Sequence, residues 1–211
     1  MPLKSEGVRR KRRSPIAENG KVGPPKRVPN SERRSREHLT PTEVERVIKA
    51  AGASGATGAR DTALVQVMYR HGLRVSELVA LRWDQIDLKQ GLLHVNRVKN
   101  SVSSTHPLRG PELRALRQLQ RDYPGPYVLS TERGGPMTTA TVRKMLKRAG
   151  ELAKLAFSIH PHMLRHACGF KLANDGHDTR ALQHYLGHKN IQHTVRYTEM
   201  APDRFKNFWR D

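Results

Sequence analysis

Apolar residues keep helical spacing through most of this chain, and the pattern changes in the middle. In residues 41–52, for example, apolar side chains recur three and four positions apart, as they do on one face of a helix. Leu93, Val95 and Arg97 instead alternate with their neighbours, which is the period of a strand. The sequence therefore predicts an α+β fold, mostly α, with a small three-stranded antiparallel sheet in a helical domain.

The start of the first helix is marked by a capping pattern. Thr40 can cap this helix, Pro41 suits its first turn, and Glu43 completes a capping box with Thr40. The same kinds of signal place the remaining elements. The expected strands are 84–88, 92–98 and 103–108, and the expected helices are 41–52, 59–69, 75–81, 111–122, 138–154, 161–174, 178–186, 190–198 and 202–209.

The chain carries a formal net charge of +20 over 211 residues, with a pI near 10.9. Such a surface attracts polyanions, so nucleic acid is the expected partner. No apolar run approaches the roughly 20 residues that a membrane span needs, and none follows the basic N-terminus as in a secretory signal. The single cysteine, Cys168, excludes an internal disulfide and fits the reducing cytoplasm. We therefore expect a cytoplasmic protein without membrane contact.

The first 38 residues differ in composition from the rest. They hold twelve Lys and Arg against four Glu, a net of +8, and have almost nothing apolar to bury. Such a segment cannot offset its ordering entropy, so we expect a disordered basic arm at 1–38 and a folded domain at 39–211. The charge of the arm suits nonspecific phosphate binding; a merely solubilising segment or a wrongly assigned start is the alternative.

The segment HGLRVSELVALRW supplies Arg74 and Glu77 at the mouth of the third expected helix. Backbone N–H groups there favour an anion, and a guanidinium can bind two phosphate oxygens at once. The alternative is an ordinary ion pair between Arg74 and Glu77. Further on, Lys99 lies where a strand is expected to turn back. Its ammonium either reaches into DNA and donates a proton or is simply solvated.

Histidines and an arginine crowd the segment HPHMLRHACGF. His162 and Arg165 are three apart and share one helix face near its start, where an anion is again favoured. An arginine can neutralise charge on a reacting phosphate, and an imidazole can transfer a proton near neutral pH. His162 and His166 are four apart, as are His184 and His188, so zinc is an alternative ligand. The cation of Arg165 beside His166 disfavours that metal site.

The last two candidates follow a helix-ending signal. His188 comes after Leu186 and Gly187, a pattern that turns the imidazole toward whatever lies beyond the helix. Tyr197 has apolar neighbours at helical spacing, where a tyrosine is ordinarily a core or rim residue. A phenol with a pKa of about 10 is a poor nucleophile unless neighbours stabilise its anion. The arginines and histidines of this sequence could do so.

These segments resemble the boxes of the tyrosine recombinase or phage integrase family. HGLRVSELVALRW, VKNSVSSTHPL, HPHMLRHACGF, LGHKN and TVRYTEM follow one another in the order found in that family. The likeness runs from residue 39 to the end of the chain. It implies a metal-independent DNA strand transferase that cuts and rejoins DNA through a 3′-phosphotyrosine intermediate and needs no cofactor.

Position by position, the resemblance implies a role for each candidate. Arg74 and Arg165 would clamp the scissile phosphate, and His188 would donate a further hydrogen bond to it. Tyr197 would be the nucleophile, and Lys99 would be the general acid toward the leaving 5′ oxygen. In the same way His162 would support proton transfer, and Glu77 would orient the site.

The chain also departs from many family members, because no separate helical domain precedes the catalytic one. In size it is similar to the short recombinases that invert fimbrial promoter segments. The resemblance implies double-stranded DNA with paired recombination sites and a homotetramer on that DNA. An accessory DNA-bending protein could supply specificity. Phe205, Phe208 and Trp209 form an apolar stripe that either folds back on its own core or docks onto a neighbouring subunit.

Two other functions stay open from the sequence. A type IB topoisomerase would share the chemistry and relax supercoils, although the LGH box and the short chain favour recombination. A DNA-binding architectural protein would need only the positive charge. In such a protein the catalytic residues would be remnants of a lost activity, and the presence of every expected polar residue argues against that.

Overall fold

The computed structural model describes residues 36–97, 102–199 and 201, together with the backbone of six residues nearer the N-terminus. Those six form two strands, β1 (Ile16–Glu18) and β2 (Lys21–Gly23), which pair antiparallel with Ile16 opposite Gly23. Nothing in the composition of the arm indicated this ladder. The chain separates into two compact units, Met1–Arg36 and Glu37–Asp211.

The second unit is mainly helical, as predicted. Its described residues contain α1 (Pro41–Gly52), α2 (Gly58–His71), α3 (Val75–Val79), α4 (Gly110–Asp122), α5 (Thr139–Leu152), α6 (Pro161–Asn174), α7 (Thr179–Leu186) and α8 (Gln192–Glu199). These confirm the helices expected up to residue 198, with boundaries within two residues. The helix expected at 202–209, with its apolar stripe, lies outside the described residues.

The helix ends follow local chemistry that is visible in the sequence. The hydroxyl of Thr40 accepts a hydrogen bond from the Glu43 backbone N–H at 3.3 Å, and the Thr40 N–H donates to the Glu43 carboxylate at 2.8 Å. At the other end of a helix, α2 and α7 both stop at a left-handed glycine, Gly72 with φ 56° and Gly187 with φ 64°. These two turns direct the segments that carry candidate site residues.

The predicted three-stranded antiparallel sheet is confirmed. Its strands are β3 (Ile86–Asp87), β4 (Leu92–Val95) and β5 (Ser104–Pro107), in the order β3-β4-β5. Leu93 in the middle strand lies opposite both Ile86 and His106. The first strand is shorter than expected because residues 83–85 form a 3-10 turn, which the side chain of Gln85 closes by accepting a hydrogen bond from the Arg82 N–H at 3.1 Å.

Helices α1, α2, α5 and α6 enclose the main hydrophobic core. Leu64 and Met68 of α2, Leu146 of α5, and Met163 and Leu164 of α6 are completely or almost completely buried. Burial of large apolar side chains is the main source of stability in a domain of this size. Within the described residues, none of the helices has the length and apolar character that a bilayer-spanning segment requires.

A buried polar cluster joins the sheet to the helices beside it. His106 of β5 lies with its Nδ1 3.1 Å from Nδ1 of His71, and Nε2 of His71 lies 3.0 Å from the carboxylate of Glu112. The hydroxyl of Ser104 lies 2.8 Å from Nε2 of His106. Burial, together with the neighbouring His71, lowers the pKa of His106 to about 3. His106 is therefore neutral near neutral pH.

We expect the free energy of unfolding to fall as the pH is lowered from about 6.5 to about 4. His106 binds a proton in this range when the chain is unfolded but not when it is folded. One such proton changes the free energy of unfolding by about 1.4 kcal/mol per pH unit. His106→Gln should lower the slope by about one proton, as measured by urea unfolding at several pH values.

The matched control is His94→Gln, at an exposed position on β4. It should keep the slope of the original protein. A His106→Gln variant whose slope also stays unchanged would contradict the account of this cluster.

Candidate active site

Arg74 stands at the N-terminus of α3, directly after the turn that ends α2. Its guanidinium donates to Oε1 of Glu77 at 2.7 Å, and its backbone N–H donates to Oε2 of Glu77 at 2.8 Å. The side chain of Arg74 is 29% exposed, whereas that of Glu77 is 2% exposed. The ion pair considered as an alternative in the sequence therefore exists. Because Glu77 is buried, this ion pair fixes the partly exposed guanidinium of Arg74 at the surface.

Glu77 is an ionised support. Burial raises the pKa of its carboxyl, but the hydrogen bond from the Arg74 backbone and the charge of Arg97 outweigh burial. The pKa of Glu77 consequently lies below its usual value. This carboxylate can orient neighbouring guanidiniums, and it is not suited to donating protons near neutral pH.

Arg165, on α6, links the two glycine turns. Its Nη1 donates to the carbonyl of Gly72, and its Nη2 donates to the carbonyl of Leu186 at 2.7 Å. Burial, followed by the charges of Arg74 and Arg97, lowers the pKa of Arg165 to about 10. The guanidinium is thus still charged at neutral pH. A single buried cation ties the chain just before Arg74 to the chain just before His188.

His188 follows the turn at Gly187, as the helix-ending pattern predicts. Its Nδ1 lies 2.8 Å from the hydroxyl of Thr194. If that hydroxyl donates, the proton of the ring is on Nε2, which can then donate to an anion. Burial, followed by the charges of Arg165 and Arg74, lowers the pKa of His188 to about 3. His188 is therefore neutral near neutral pH, and in the tautomer with its proton on Nε2 it can donate a hydrogen bond.

Tyr197, on α8, is 1% exposed and lies against α6. Its hydroxyl is 2.8 Å from Nδ1 of His166. Phe170 meets its ring edge to face, with the ring centroids 5.0 Å apart, and the His188 ring is stacked at 6.2 Å. A Cβ atom at Gly169 would lie 2.7 Å from the Tyr197 ring, so the absence of a side chain there makes room for the phenol.

The phenol of Tyr197 is protonated at rest. Burial raises its pKa, and the charges of Arg165 and Arg196 act in the opposite direction. Burial and the charge of Arg196 lower the pKa of His166 to about 4, so that imidazole is neutral near neutral pH. In the tautomer with its proton on Nε2, Nδ1 of His166 can accept the proton of the hydroxyl when the phenol reacts.

Two of the predicted site residues, His162 and Lys99, remain. His162 is exposed on the first turn of α6, with its ring centroid 6.4 Å from that of His166. Lys99 lies outside the described residues. The roles of both residues stay predictions.

The zinc alternative considered for the histidines finds no ligand set in the described part of the chain. Nowhere in that part do three or more His, Cys, Asp or Glu side chains form a group that could hold a metal ion. One histidine of each pair considered for zinc has another partner: His166 contacts Tyr197, and His188 contacts Thr194.

Sequence reasoning missed the roles of Arg97 and Gly169 and the contact of His166 with the phenol. Arg97 alternates with Leu93 and Val95, so the strand period already placed it on the buried face. His166 lies one helical turn from His162, which placed the two on one face. No signal in the sequence identified Gly169, because its use depends on which ring packs against it.

Comparisons with known proteins agree with this arrangement. Residues 37–204 match the phage integrase family. The chain is 41% identical to the type 1 fimbriae regulatory protein FimE of Escherichia coli K12 over 181 residues, which is 82% of this chain and 91% of FimE. It is 35% identical to the tyrosine recombinase XerD of Pseudomonas putida over 80% of this chain and 59% of XerD.

The crystal structure of XerA recombinase has a similar fold. It superimposes with a TM-score of 0.70 at 26% identity, over 88% of this chain and 65% of XerA. The expected resemblance to the family, including the similarity in size to fimbrial proteins, is confirmed by these matches.

The cradle of Tyr197 can be tested without any ligand. Gly169→Ala should force the ring away from α6, because the added methyl group would overlap it. The pKa of Tyr197 should then fall toward its ordinary value of about 10 as the ring becomes solvated. Nuclear magnetic resonance of ring-labelled tyrosine measures this pKa, with the Tyr197 signal assigned from Tyr197→Phe.

Gly135→Ala is the control, because the nearest atom to its added Cβ, the Thr131 hydroxyl oxygen, lies 3.9 Å away. This variant should leave the Tyr197 signal unchanged. Identical titration of Tyr197 in Gly169→Ala and the original protein would refute the proposed packing.

Proposed function

Because this chain belongs to the phage integrase family, we propose that it is a site-specific DNA recombinase that acts through Tyr197. The observation that carries the proposal is the double link made by Arg165 between the turns at Gly72 and Leu186. This link draws Arg74 and His188 into one electrostatic group with Arg165, and the charge of Arg165 acts directly on Tyr197.

In the proposed cleavage step, the phenolic oxygen of Tyr197 attacks the phosphorus of one DNA backbone phosphate. A bond forms between these two atoms, and the bond from phosphorus to the 5′ oxygen of the next nucleotide breaks. The phenol gives up its proton to Nδ1 of His166, which lies 2.8 Å from it, and the leaving oxygen takes up a proton from Lys99 to become a 5′-hydroxyl. The products are a 3′-phosphotyrosine link and a cut strand.

The charged groups act on the phosphate. Arg74 and Arg165 offset the negative charge that builds up on its oxygens, and His188 donates a hydrogen bond to it. His162 supports proton transfer, and Lys99 protonates the leaving oxygen. Glu77 orients the arginines. Because side chains supply both the positive charge and the proton transfer, cleavage is proposed to need no metal ion or other cofactor.

Rejoining is the same reaction in reverse with a different 5′-hydroxyl. The energy of the phosphodiester is kept in the bond between Tyr197 and the DNA, so no nucleotide is consumed. We propose paired sites in double-stranded DNA as the substrate, a homotetramer as the active assembly, and an accessory DNA-bending protein as a source of specificity. A single thiol favours the reducing cytoplasm as the place of action.

The nucleophile is tested with nicked duplexes that carry the inverted or direct repeats of the DNA adjoining the gene. The original protein should become covalently attached to the 3′ end, and a chelator such as EDTA should not prevent this. Tyr197→Phe should abolish attachment, because it removes the attacking oxygen, and should leave DNA binding within about threefold. Denaturing gels report attachment, and fluorescence anisotropy reports binding.

Tyr127→Phe is the matched control, since it removes the hydroxyl of a half-buried tyrosine in the segment between α4 and α5. That variant should attach to DNA like the original protein. Attachment by Tyr197→Phe would show that another residue is the nucleophile. Relaxation of plasmids that lack the repeats, without exchange products, would instead favour a topoisomerase.

A further inference from the structure

Arg97 is a buried cation that the reaction described above does not use. Its side chain is 0% exposed. Its Nη1 donates to Oε2 of Glu77 at 2.8 Å, and its Nη2 donates to the carbonyl of Tyr185 and, at 3.4 Å, to that of His71. One side chain on the segment after β4 thus contacts α2, α3 and α7.

Its contacts run parallel to those of Arg165. Arg165 bonds to the carbonyls of Gly72 and Leu186, and Arg97 bonds to the preceding carbonyl in each case, those of His71 and Tyr185. Two guanidiniums therefore join the ends of α2 and α7, and in each helix they bind the carbonyls of two consecutive residues. Helix C-termini carry carbonyls without intrahelical partners and favour cations, so both links are electrostatically favourable.

Arg97 also packs closely against the turn before His188. A Cβ atom at Gly187 would lie 2.9 Å from Cγ, Cδ and Nε of Arg97. Within the described residues, Nε of Arg97 finds no hydrogen-bond acceptor. Burying a charge with an unsatisfied N–H costs stability, and an apolar side chain could fill the same space at a lower cost. Stability alone therefore does not explain an arginine at this position, and its contacts with Glu77, His71 and Tyr185 indicate another role.

The two oxygens of Glu77 are divided between two arginines. Oε1 accepts from the half-exposed Arg74, and Oε2 accepts from the fully buried Arg97. When Arg74 turns toward a phosphate, Arg97 can keep the carboxylate in place and charged. Resting on the proposed function, we propose that Arg97 is a positioning residue: through Glu77 it presents Arg74 to the DNA, and through Tyr185 and Gly187 it fixes His188.

Removal of Arg97 has a consequence that depends on pH. In the original protein the charge of Arg97 opposes the effect of burial on the pKa of Glu77. Without Arg97 this pKa rises, so Glu77 becomes protonated at a higher pH. A protonated Glu77 no longer attracts Arg74. The charged groups that act on Glu77 are Arg74, Arg97 and Arg165. These cations also act on six other titratable groups: His106, His166, Cys168, Tyr185, His188 and Tyr197.

The first test measures the single-turnover rate of covalent attachment to the nicked duplex as a function of pH. Arg97→Met should lower the rate about 100-fold at about pH 6, with partial recovery toward about pH 8, and should change DNA affinity less than about threefold. Arg97→Lys, which keeps the charge, should stay within about tenfold of the original rate. Glu77→Gln should be slow at every pH, because its amide does not titrate.

Arg60→Met is the matched control. Arg60 is also buried and paired, with Asp61 at 2.9 Å and the Ser130 carbonyl at 3.2 Å, in a part of α2 away from the site. It should lose stability but keep the original dependence of rate on pH. If Arg97→Met and Arg60→Met show the same pH profile, or if Arg97→Lys is as slow as Arg97→Met, Arg97 has no positioning role.

A second measurement needs no DNA and therefore separates this inference from the proposed function. Titration of the Glu77 carboxyl by carbon-13 resonance should give a higher pKa in Arg97→Met than in the original protein and an unchanged pKa in Arg60→Met. An unchanged pKa in Arg97→Met overturns the inference even if the original protein attaches to DNA. A raised pKa supports it even if the chosen duplexes are not cleaved.

Discussion

The arrangement of this domain depends on the contact between buried guanidiniums and the C-terminal carbonyls of α2 and α7. Both helices end at a left-handed glycine, and the last carbonyl oxygens of a helix have no further turn of the helix to bond them. Arg165 spans the two ends. The segments carrying Arg74 and His188 begin immediately beyond those ends, so the link that completes the fold also assembles the candidate site.

The electrostatics of the site follow from this packing. In this chain of net charge +20, three of the arginines lie together in buried or partly buried positions, which is unfavourable without an anion: Arg74, Arg97 and Arg165. The ionised Glu77 offsets part of that cost, and His188 and His166 avoid adding to it because their pKa values are lowered. The remaining positive potential favours a phosphate, and it lowers the energy of the Tyr197 phenolate as the phenol loses its proton.

The helices and most of the candidate site residues could be predicted from residue patterns, because the signals for them are local. The capping box at Thr40 and the glycines after α2 and α7 act within a few residues, and the helices were found accordingly. Ordered boxes identified the family, and they named Arg74, Arg165, His188 and Tyr197 as candidates. The structure places these four within one electrostatic neighbourhood.

What could not be predicted depends on partners that are distant in the sequence. Arg97 and Glu77 are twenty residues apart, and His166 and Tyr197 are thirty-one apart. No period or spacing relates such residues. The 3-10 turn at 83–85 was missed for a different reason. The contact that closes it, from the Arg82 N–H to the Gln85 side chain, is local, but residues 84–88 had been assigned to a strand.

We propose that the side chains of Arg74, Arg165 and His188 surround one DNA phosphate beside Tyr197. A crystal structure of the protein trapped on a nicked duplex would show whether they do. We expect continuous density from the Tyr197 oxygen to the 3′-phosphate, with both guanidiniums and the His188 Nε2 within hydrogen-bond distance of the phosphate oxygens. A trapped phosphate joined to another residue, or lying beyond the reach of Arg165 and Arg74, would contradict it.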